Sequence, residues 1–393
     1  MPVSDRQSLP FEKIRVQGFR RLADVNLSLK PLNVVIGANG CGKTSLLDVF
    51  SLLAASARGE LNQTFSNLGG LNTNLTNLCV GNGDQHRSMR FELVMPVPHY
   101  NPINYHVAFE PKGTAYEIVE ESLTQQRSSE PPPFKHLEAR HGDVRYFDGQ
   151  GLVRPDWDYH PRESGLSQVP KMFKEPEEFR NRLASSTHYH LFDVSQGAPA
   201  RLPQQMREAT LPGPAGETLI SCLYTIRETD PDRFENIEAT LRTAFPSFER
   251  LSFPPVAAGM LAMTWKDETS PEPFFMHQLS EGTLRFLWLA TLLQSPGLTS
   301  VTLLDEPEVS LHPELLSFLA DLMREASQQT QLIVATHADR LVRYLRPSEV
   351  LTIDIKDNGA AEMTWADDLD LEQWLDEYTL DEVWRLGRMG ARP

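Results

Sequence analysis

The 393-residue chain reads as an α/β protein: a mixed sheet, an antiparallel β-subdomain beside it, and a globular α/β insertion. Three observations predict this. In the C-terminal third, short apolar runs alternate with segments of helical period, the pattern of a largely parallel sheet. Near the N-terminus two alternating segments, 11–18 and 25–29, read as paired strands just before a fully apolar run at 32–36. Between 96 and 275 lie 21 of the 29 prolines, a density that breaks helices and excludes a long coiled-coil arm. The expected units are 1–95, the insertion or lid 96–275, 276–365, and a tail of helices 366–393.

Taken in order, Phe19-Arg20-Arg21 is a turn carrying an aromatic and two cations. Leu32-Asn33-Val34-Val35-Ile36 is a buried strand, and Ser45 to Leu53 has the apolar spacing of a helix that ends near Arg58-Gly59. The Asn- and Gly-rich stretch 62–83 reads as loops, and 90–95 as a further strand. In the insertion, Glu217 to Arg227 is helical. A second helix starts at Pro231, with Asp230 as its N-cap and proline in the first turn. Leu261 to Trp265 reads as a strand. Ser280 to Leu293 is a helix stopped by Pro296-Gly297. Then follow the strand 301–304, a helix from Pro313 to Met323, and strands at 332–336 and 350–353.

Composition bounds the function. Hydrophobic content of 40% and charged content of 23% fit a soluble globular protein. No apolar run reaches membrane-spanning length, and Met1 to Pro10 lacks the apolar core of a signal peptide. The net charge of −16 argues against a surface that coats nucleic acid throughout, leaving room for a local basic groove. Cys41, Cys79 and Cys222 have neither metal spacing nor even pairing, as expected in a reducing cytoplasm.

The chemistry concentrates in four segments. Gly37-Ala38-Asn39-Gly40-Cys41-Gly42-Lys43-Thr44 matches G-x-x-x-x-G-K-[ST] between a strand and a helix. Glycines let successive N–H groups wrap a phosphate, and the helix N-terminus adds its positive dipole end. In that reading Lys43 reaches the β/γ-phosphates, Thr44 holds Mg²⁺, and Ser45 opens the helix. Cys41 is a small filler residue or an oxidation-sensitive thiol. The run 301–304 ends in Asp305 and Glu306: Asp305 can enter the Mg²⁺ shell and Glu306 can polarise an attacking water. Ser280, Glu281 and Gly282 stand at a helix start, where unpaired N–H groups attract an anion. His337 follows the strand 332–336, within reach of a γ-phosphate or its attacking water.

This order of motifs resembles the ABC-type ATPase heads of the RecF/SMC/OLD group, over roughly 1–95 and 276–365. Gly37 to Thr44 resembles the Walker A loop. Leu279 to Arg285 resembles the ABC signature, with Ser-Glu-Gly-Thr in place of Ser-Gly-Gly-Gln. Asp305 and Glu306 resemble the Walker B pair, Ser310 to Pro313 the D-loop, and His337 the switch histidine; Gln63 and Gln85 are the candidates for the Q-loop. The signature and Asp-Glu-Pro-Glu-x-x-Leu-His-Pro look most like the OLD-like prokaryotic ATPases of phage-defence or toxin systems. The resemblance implies an ATP- and Mg²⁺-dependent ATPase, catalysed through Lys43, Glu306 and His337. It implies a head-to-tail dimer in which one subunit's signature completes the other's P-loop site. The stretch after His337 is shorter than a TOPRIM domain, so a separately encoded effector, a nuclease, is expected, with the insertion and the tail as docking surfaces. A RecF-like DNA-repair ATPase and an ATP-dependent binding module without turnover are the alternatives.

Overall fold

A computed structural model describes residues 9–78, 88–127, 132–160, 162–169 and 173–390. Cys79 and Gln85 lie outside the described residues.

Leu32–Gly37, the apolar run before the glycine loop, is an interior strand of a six-stranded sheet. The spatial order is Thr187–Tyr189, Val301–Asp305, Gln331–Ala335, Leu32–Gly37, Val350–Ile355, Ala361–Trp365. All pairs are parallel except the last, where Val350–Ile355 meets Ala361–Trp365 antiparallel. The interior strands are largely apolar and buried because both faces are covered. Alternate residues enter two different cores. Val34, Ile36, Leu304, Leu332 and Val334 join Leu284, Phe286 and Leu319 in one. Val35, Leu303, Ile333 and Ala335 join Leu46, Val49 and Phe50 of the helix Lys43–Arg58 in the other.

That second core is closed by an eight-stranded antiparallel sheet. It starts with Lys13–Phe19 and Leu22–Ser28, paired as the sequence suggests. It continues through Met89–Val97 into Tyr100–Lys112, Ala115–Gln125, Phe134–Arg140, Asp143–Phe147 and Leu152–Val153.

Here the structure differs from the expectation of a separate unit at 96–275. Five strands of that stretch extend the N-terminal antiparallel sheet, and Thr187–Tyr189 is the edge strand of the mixed sheet. Phe179 and Leu183 of the helix Lys174–Ala184 join the core beneath the P-loop helix. The helices Leu219–Thr229 and Pro231–Ala244 pack into the opposite core. The prolines mark connections and element ends: Pro231 opens its helix behind the Asp230 cap, whose carboxylate accepts from the Arg233 N–H.

Two further expectations change. Within 62–83, the helices Leu61–Asn67 and Leu71–Asn74 replace loops. Leu61 and Phe65 are one turn apart and buried, and the Phe65 ring lies 4.6 Å from Tyr116 and 5.4 Å from Phe109. Tertiary packing thus overrides a weak local propensity. The expected strand 261–265 is split between Met260–Leu261 and Thr264–Asp267, each in a different small sheet. The tail forms the short helices Glu372–Leu375 and Leu380–Arg385. Val383 and Trp384 are buried in the core around the mixed sheet, so the tail packs on its own head rather than presenting Trp384 to a partner.

His136, in the antiparallel sheet, is 5% exposed, and burial with the nearby Arg127 cation lowers its pKa to about 4. The unfolded imidazole titrates near 6.5, roughly the free value. As pH falls from 6.5 towards 4, the unfolded chain takes up a proton that the native state refuses. Stability is therefore lost at this residue by up to about 1.4 kcal/mol per pH unit. Urea unfolding of His136→Gln is expected to show a shallower acid loss over that window than wild type. Parallel curves would place the acid sensitivity elsewhere.

Candidate functional site

Parallel register brings the motifs to one edge of the mixed sheet. Asp305 pairs with Ala335, Ala335 with Val35, and Ile353 with Gly37. The carboxyl ends of the strands therefore sit side by side, where open α/β sheets bind ligands.

The glycine loop leaves Leu32–Gly37 and enters the helix Lys43–Arg58. Gly40 and Gly42 have φ of 73° and 122°, the region that favours glycine. At Gly37 (φ 152°) an added Cβ would lie 2.4 Å from the Ile353 carbonyl oxygen. The helix has no side-chain cap and no acidic residue in its first turn. Its first N–H groups and its dipole are thus left for an anion. Lys43 is buried, and its Nζ donates to the carbonyls of Gly37 and, at 3.0 Å, Ala38. Burial lowers its pKa, while Cys41, Glu306, Asp305 and Glu308 pull it up. Cys41 is itself buried, and burial pushes its thiol up. Its Sγ fills the space beside Gly37, where an added Cβ would lie 2.9 Å from it.

The mouth of the loop is lined by Arg20, Arg21, Gly40, Gly42, Lys43, Thr44, Ser45 and His337. Arg20, at φ 47° in the first hairpin turn, pairs with Asp48 at 2.6 Å and donates to Asn74 Oδ1 at 2.8 Å and Ser45 Oγ at 3.4 Å. Four cationic or dipolar elements thus meet at one cleft: two arginines, one lysine and one helix N-terminus.

Asp305 and Glu306 close the adjoining strand. Burial raises the Asp305 pKa, with Glu306 and Asp48 adding to the rise and His190 and Lys43 opposing it. Glu306 holds φ 49°, a strained conformation for a residue with a side chain, and its N–H donates to Ala335 O at 2.8 Å. His337 Nε2 lies 3.5 Å from Glu306 Oε1. Burial, then the Lys43 cation, lowers the His337 pKa, and the Glu306 carboxylate opposes them. Beneath them Glu308 accepts from Thr336 Oγ1 at 2.6 Å and from the His337 N–H at 3.3 Å. Its other oxygen, Oε2, is buried with no partner.

The donor set fits a nucleotide triphosphate with its magnesium ion. An uncapped helix start, a buried lysine and two arginines suit phosphate oxygens. The Thr44 hydroxyl and the Asp305 carboxylate are hard oxygen ligands, as Mg²⁺ requires.

Ser280, Glu281 and Gly282 are not brought into this cleft. Ser280 caps the helix Glu281–Leu293, accepting from the Thr283 N–H at 3.1 Å. Ser280 and Glu281 are exposed. A Cβ on Gly282 would lie 2.8 Å from Ser310 O, so the helix start and the segment after Glu308 are in close contact. Gln63 is exposed on the helix Leu61–Asn67 and bonded to Asn67, outside the cleft lining. Sequence reasoning assigned no role to Arg20, Glu308, His188 or His190. Arg20 was visible only as a cation in a turn. The histidines come into place only through the edge-strand pairing.

A family model described as "AAA domain, putative AbiEii toxin, Type IV TA system" matches residues 32–343. No curated protein sequence matches the chain. Among solved structures, the chain is similar to an SMC head bound to the C-winged helix domain of ScpA. That likeness has a TM-score of 0.56 and 14% identity, covering 93% of this chain and 99% of the other. It is also similar to a Pyrococcus furiosus Smc head with an extended coiled coil bound to the C-terminal domain of ScpA. Here the TM-score is 0.51 and the identity 12%, over 93% and 98% of the two chains. These likenesses establish the fold: the mixed sheet and the antiparallel sheet are arranged as in the SMC heads.

Glu308 tethers the backbone of His337 through a buried carboxylate. Glu308→Ala is expected to lose about 1–3 kcal/mol of stability by stranding its two donors. Glu308→Gln, which keeps an acceptor for Thr336, is expected to lose less. Chemical denaturation of both variants checks the order; equal losses would count against the tether.

Proposed function

The chain belongs to the AAA-domain family that this model describes, and on that premise we propose that it binds and hydrolyses ATP with Mg²⁺ as a head-to-tail dimer. In our reading the dimer switches a separately encoded effector, a nuclease, in cytoplasmic antiphage defence of the OLD-like type.

One observation carries the dimer. The exposed helix start at Ser280–Gly282 has an anion-attracting geometry, yet it stands outside the cleft of its own P-loop. A second copy supplies it most simply, so that two helix N-termini flank one triphosphate. The effector is supported more generally. The family description names a putative toxin of a Type IV TA system, and the similar SMC heads were solved with ScpA domains bound.

Magnesium-bound ATP supplies the electrophilic γ-phosphorus and a neutralised leaving group. The chain's own residues do the rest. Gly37, Asn39, Gly40, Cys41 and Gly42 present backbone to the phosphates, with Thr44 and Ser45 opening the helix behind them. Lys43 exchanges its carbonyl partners for phosphate oxygens, which recovers the charge-assisted bonds that its burial requires. Thr44 and Asp305 hold the metal. Glu306 accepts the proton of the attacking water. His337, 3.5 Å from Glu306, donates towards the γ-phosphate or orients that water. Arg20 and Arg21 add positive potential at the mouth.

Lys43→Ala is expected to weaken ATP binding by ~2–4 kcal/mol, the scale of one preorganised donor lost from a dry site. Unchanged equilibrium binding of labelled ATP would overturn the assignment. Glu306→Gln is expected to keep ATP binding while turnover falls about 10²–10⁴-fold, the usual contribution of a general base. It should also accumulate as an ATP-bound dimer in light scattering. Wild-type turnover in this variant would remove Glu306 from the role. Affinity capture with the same variant from its native cell is expected to recover a stoichiometric protein partner. Recovery of DNA alone would instead favour a RecF-like repair function.

A further inference from the structure

Beside the nucleotide cleft, the edge strand Thr187–Tyr189 runs parallel to Val301–Asp305 with Tyr189 opposite Leu304. The next residue, His190, therefore comes alongside Asp305. Residues two apart on a strand share a face, so His188, His190 and Asp305 lie on the same side of the sheet, the side that carries the P-loop helix. The two imidazole rings are 3.9 Å apart between centroids. One potential ligand atom from each of the three residues lies within 4.8 Å of the other two.

The hydrogen bonding around His188 prepares it as a ligand. Ser51, on the P-loop helix, donates its hydroxyl proton to Leu47 O at 3.1 Å. With that proton directed at Leu47 O, we assign His188 Nδ1–H as the donor to Ser51 Oγ at 3.0 Å. That assignment leaves the lone pair on Nε2. Nε2 is buried and has no partner. A buried acceptor left unpaired costs the full desolvation of that group, and a cation is a direct way to satisfy it. Metal-bound histidines characteristically donate their other ring N–H to a protein acceptor in this way.

We propose that His188 Nε2, His190 and Asp305 form a binding site for a divalent transition-metal ion of the Zn²⁺ class. Three protein ligands with a fourth position open is a common coordination for such an ion. Two imidazoles select it over Mg²⁺, which takes oxygen ligands. Bonds of roughly 2.0–2.2 Å bring ligand atoms within about 4 Å of one another. The exposed His190, at the end of its strand, supplies the adjustment by side-chain rotation. The site goes beyond the ATPase reading, since it needs no nucleotide. It also shares Asp305 with the proposed magnesium site, so occupancy of one bears on the other. The H-x-H spacing at 188–190 signals no metal by itself, because the third ligand lies far along the chain.

The test is a titration of the nucleotide-free, full-length protein with Co²⁺, followed by equilibrium dialysis and by the visible d–d absorption of nitrogen-ligated cobalt. Saturable, stoichiometric binding that excess Mg²⁺ does not displace is expected. His190→Ala, at an exposed position that leaves the core intact, is expected to weaken binding by at least roughly 100-fold. Ser51→Ala keeps all three ligands and removes only the bond that fixes the tautomer. It is expected to weaken binding roughly 10–100-fold, the usual effect of an outer-shell partner. Circular dichroism checks that each variant is folded. Displacement by Mg²⁺, or wild-type Co²⁺ affinity in either folded variant, would overturn the proposal.

Discussion

The parallel register of the mixed sheet is the constraint on which the rest depends. Leu32–Gly37 is paired on one side with Gln331–Ala335 and on the other with Val350–Ile355. Segments some three hundred residues apart are thereby fixed against the glycine loop. Asn33 strengthens this seam: its buried amide donates to Leu332 O at 3.1 Å and to Lys30 O, and its oxygen accepts from the Lys30 N–H. A slip of one residue would turn every side chain to the other face. It would exchange two apolar cores and swing Asp305 away from Lys43. Fold and site are thus one specification: the alternation that sorts Val34 from Val35 also aims the strand ends.

Within that frame the site stores several unfavourable local choices. Glu306 keeps a positive φ, Lys43 keeps a buried ammonium against backbone carbonyls, and Glu308 keeps an unpartnered oxygen. Each costs free energy in isolation, and surrounding structure must over-determine it. The Glu306 turn is held by its N–H bond to Ala335 O, and Glu308 by Thr336 and the His337 backbone. All three anchors lie on or just after the neighbouring strand, Gln331–Ala335. That strand couples the proposed base, the histidine and the carboxylate beneath them as a mechanical unit.

Much of this was legible in the sequence because it is local. A P-loop is a contiguous pattern in strand–loop–helix context, and the Asp305-Glu306 and His337 motifs sit at the ends of obvious apolar runs. What escaped was non-local. The antiparallel sheet runs on through 100–153 because cross-strand partners, not proline counts, decide membership. Leu61 and Phe65 form a helix because Tyr116 and Phe109 lie beneath them. His188 and His190 carry no signal until a three-residue edge strand sets them beside Asp305. The tail looked like an aromatic docking surface, yet Trp384 is fully buried; composition does not distinguish an interface from a helix packed on its own head.

Arg20 ties the antiparallel sheet to the P-loop helix electrostatically, beside the core they share. It sits in the first turn of the antiparallel sheet, and its guanidinium reaches Asp48 and Ser45 on the P-loop helix and Asn74 on the short helix after it. Its side chain is about a third exposed and Asp48 much less, so the pair is better shielded from solvent than a surface ion pair. An anion in the cleft would compete with Asp48 for the same guanidinium. An anion held there would bear on the contact by which the antiparallel sheet holds the P-loop helix.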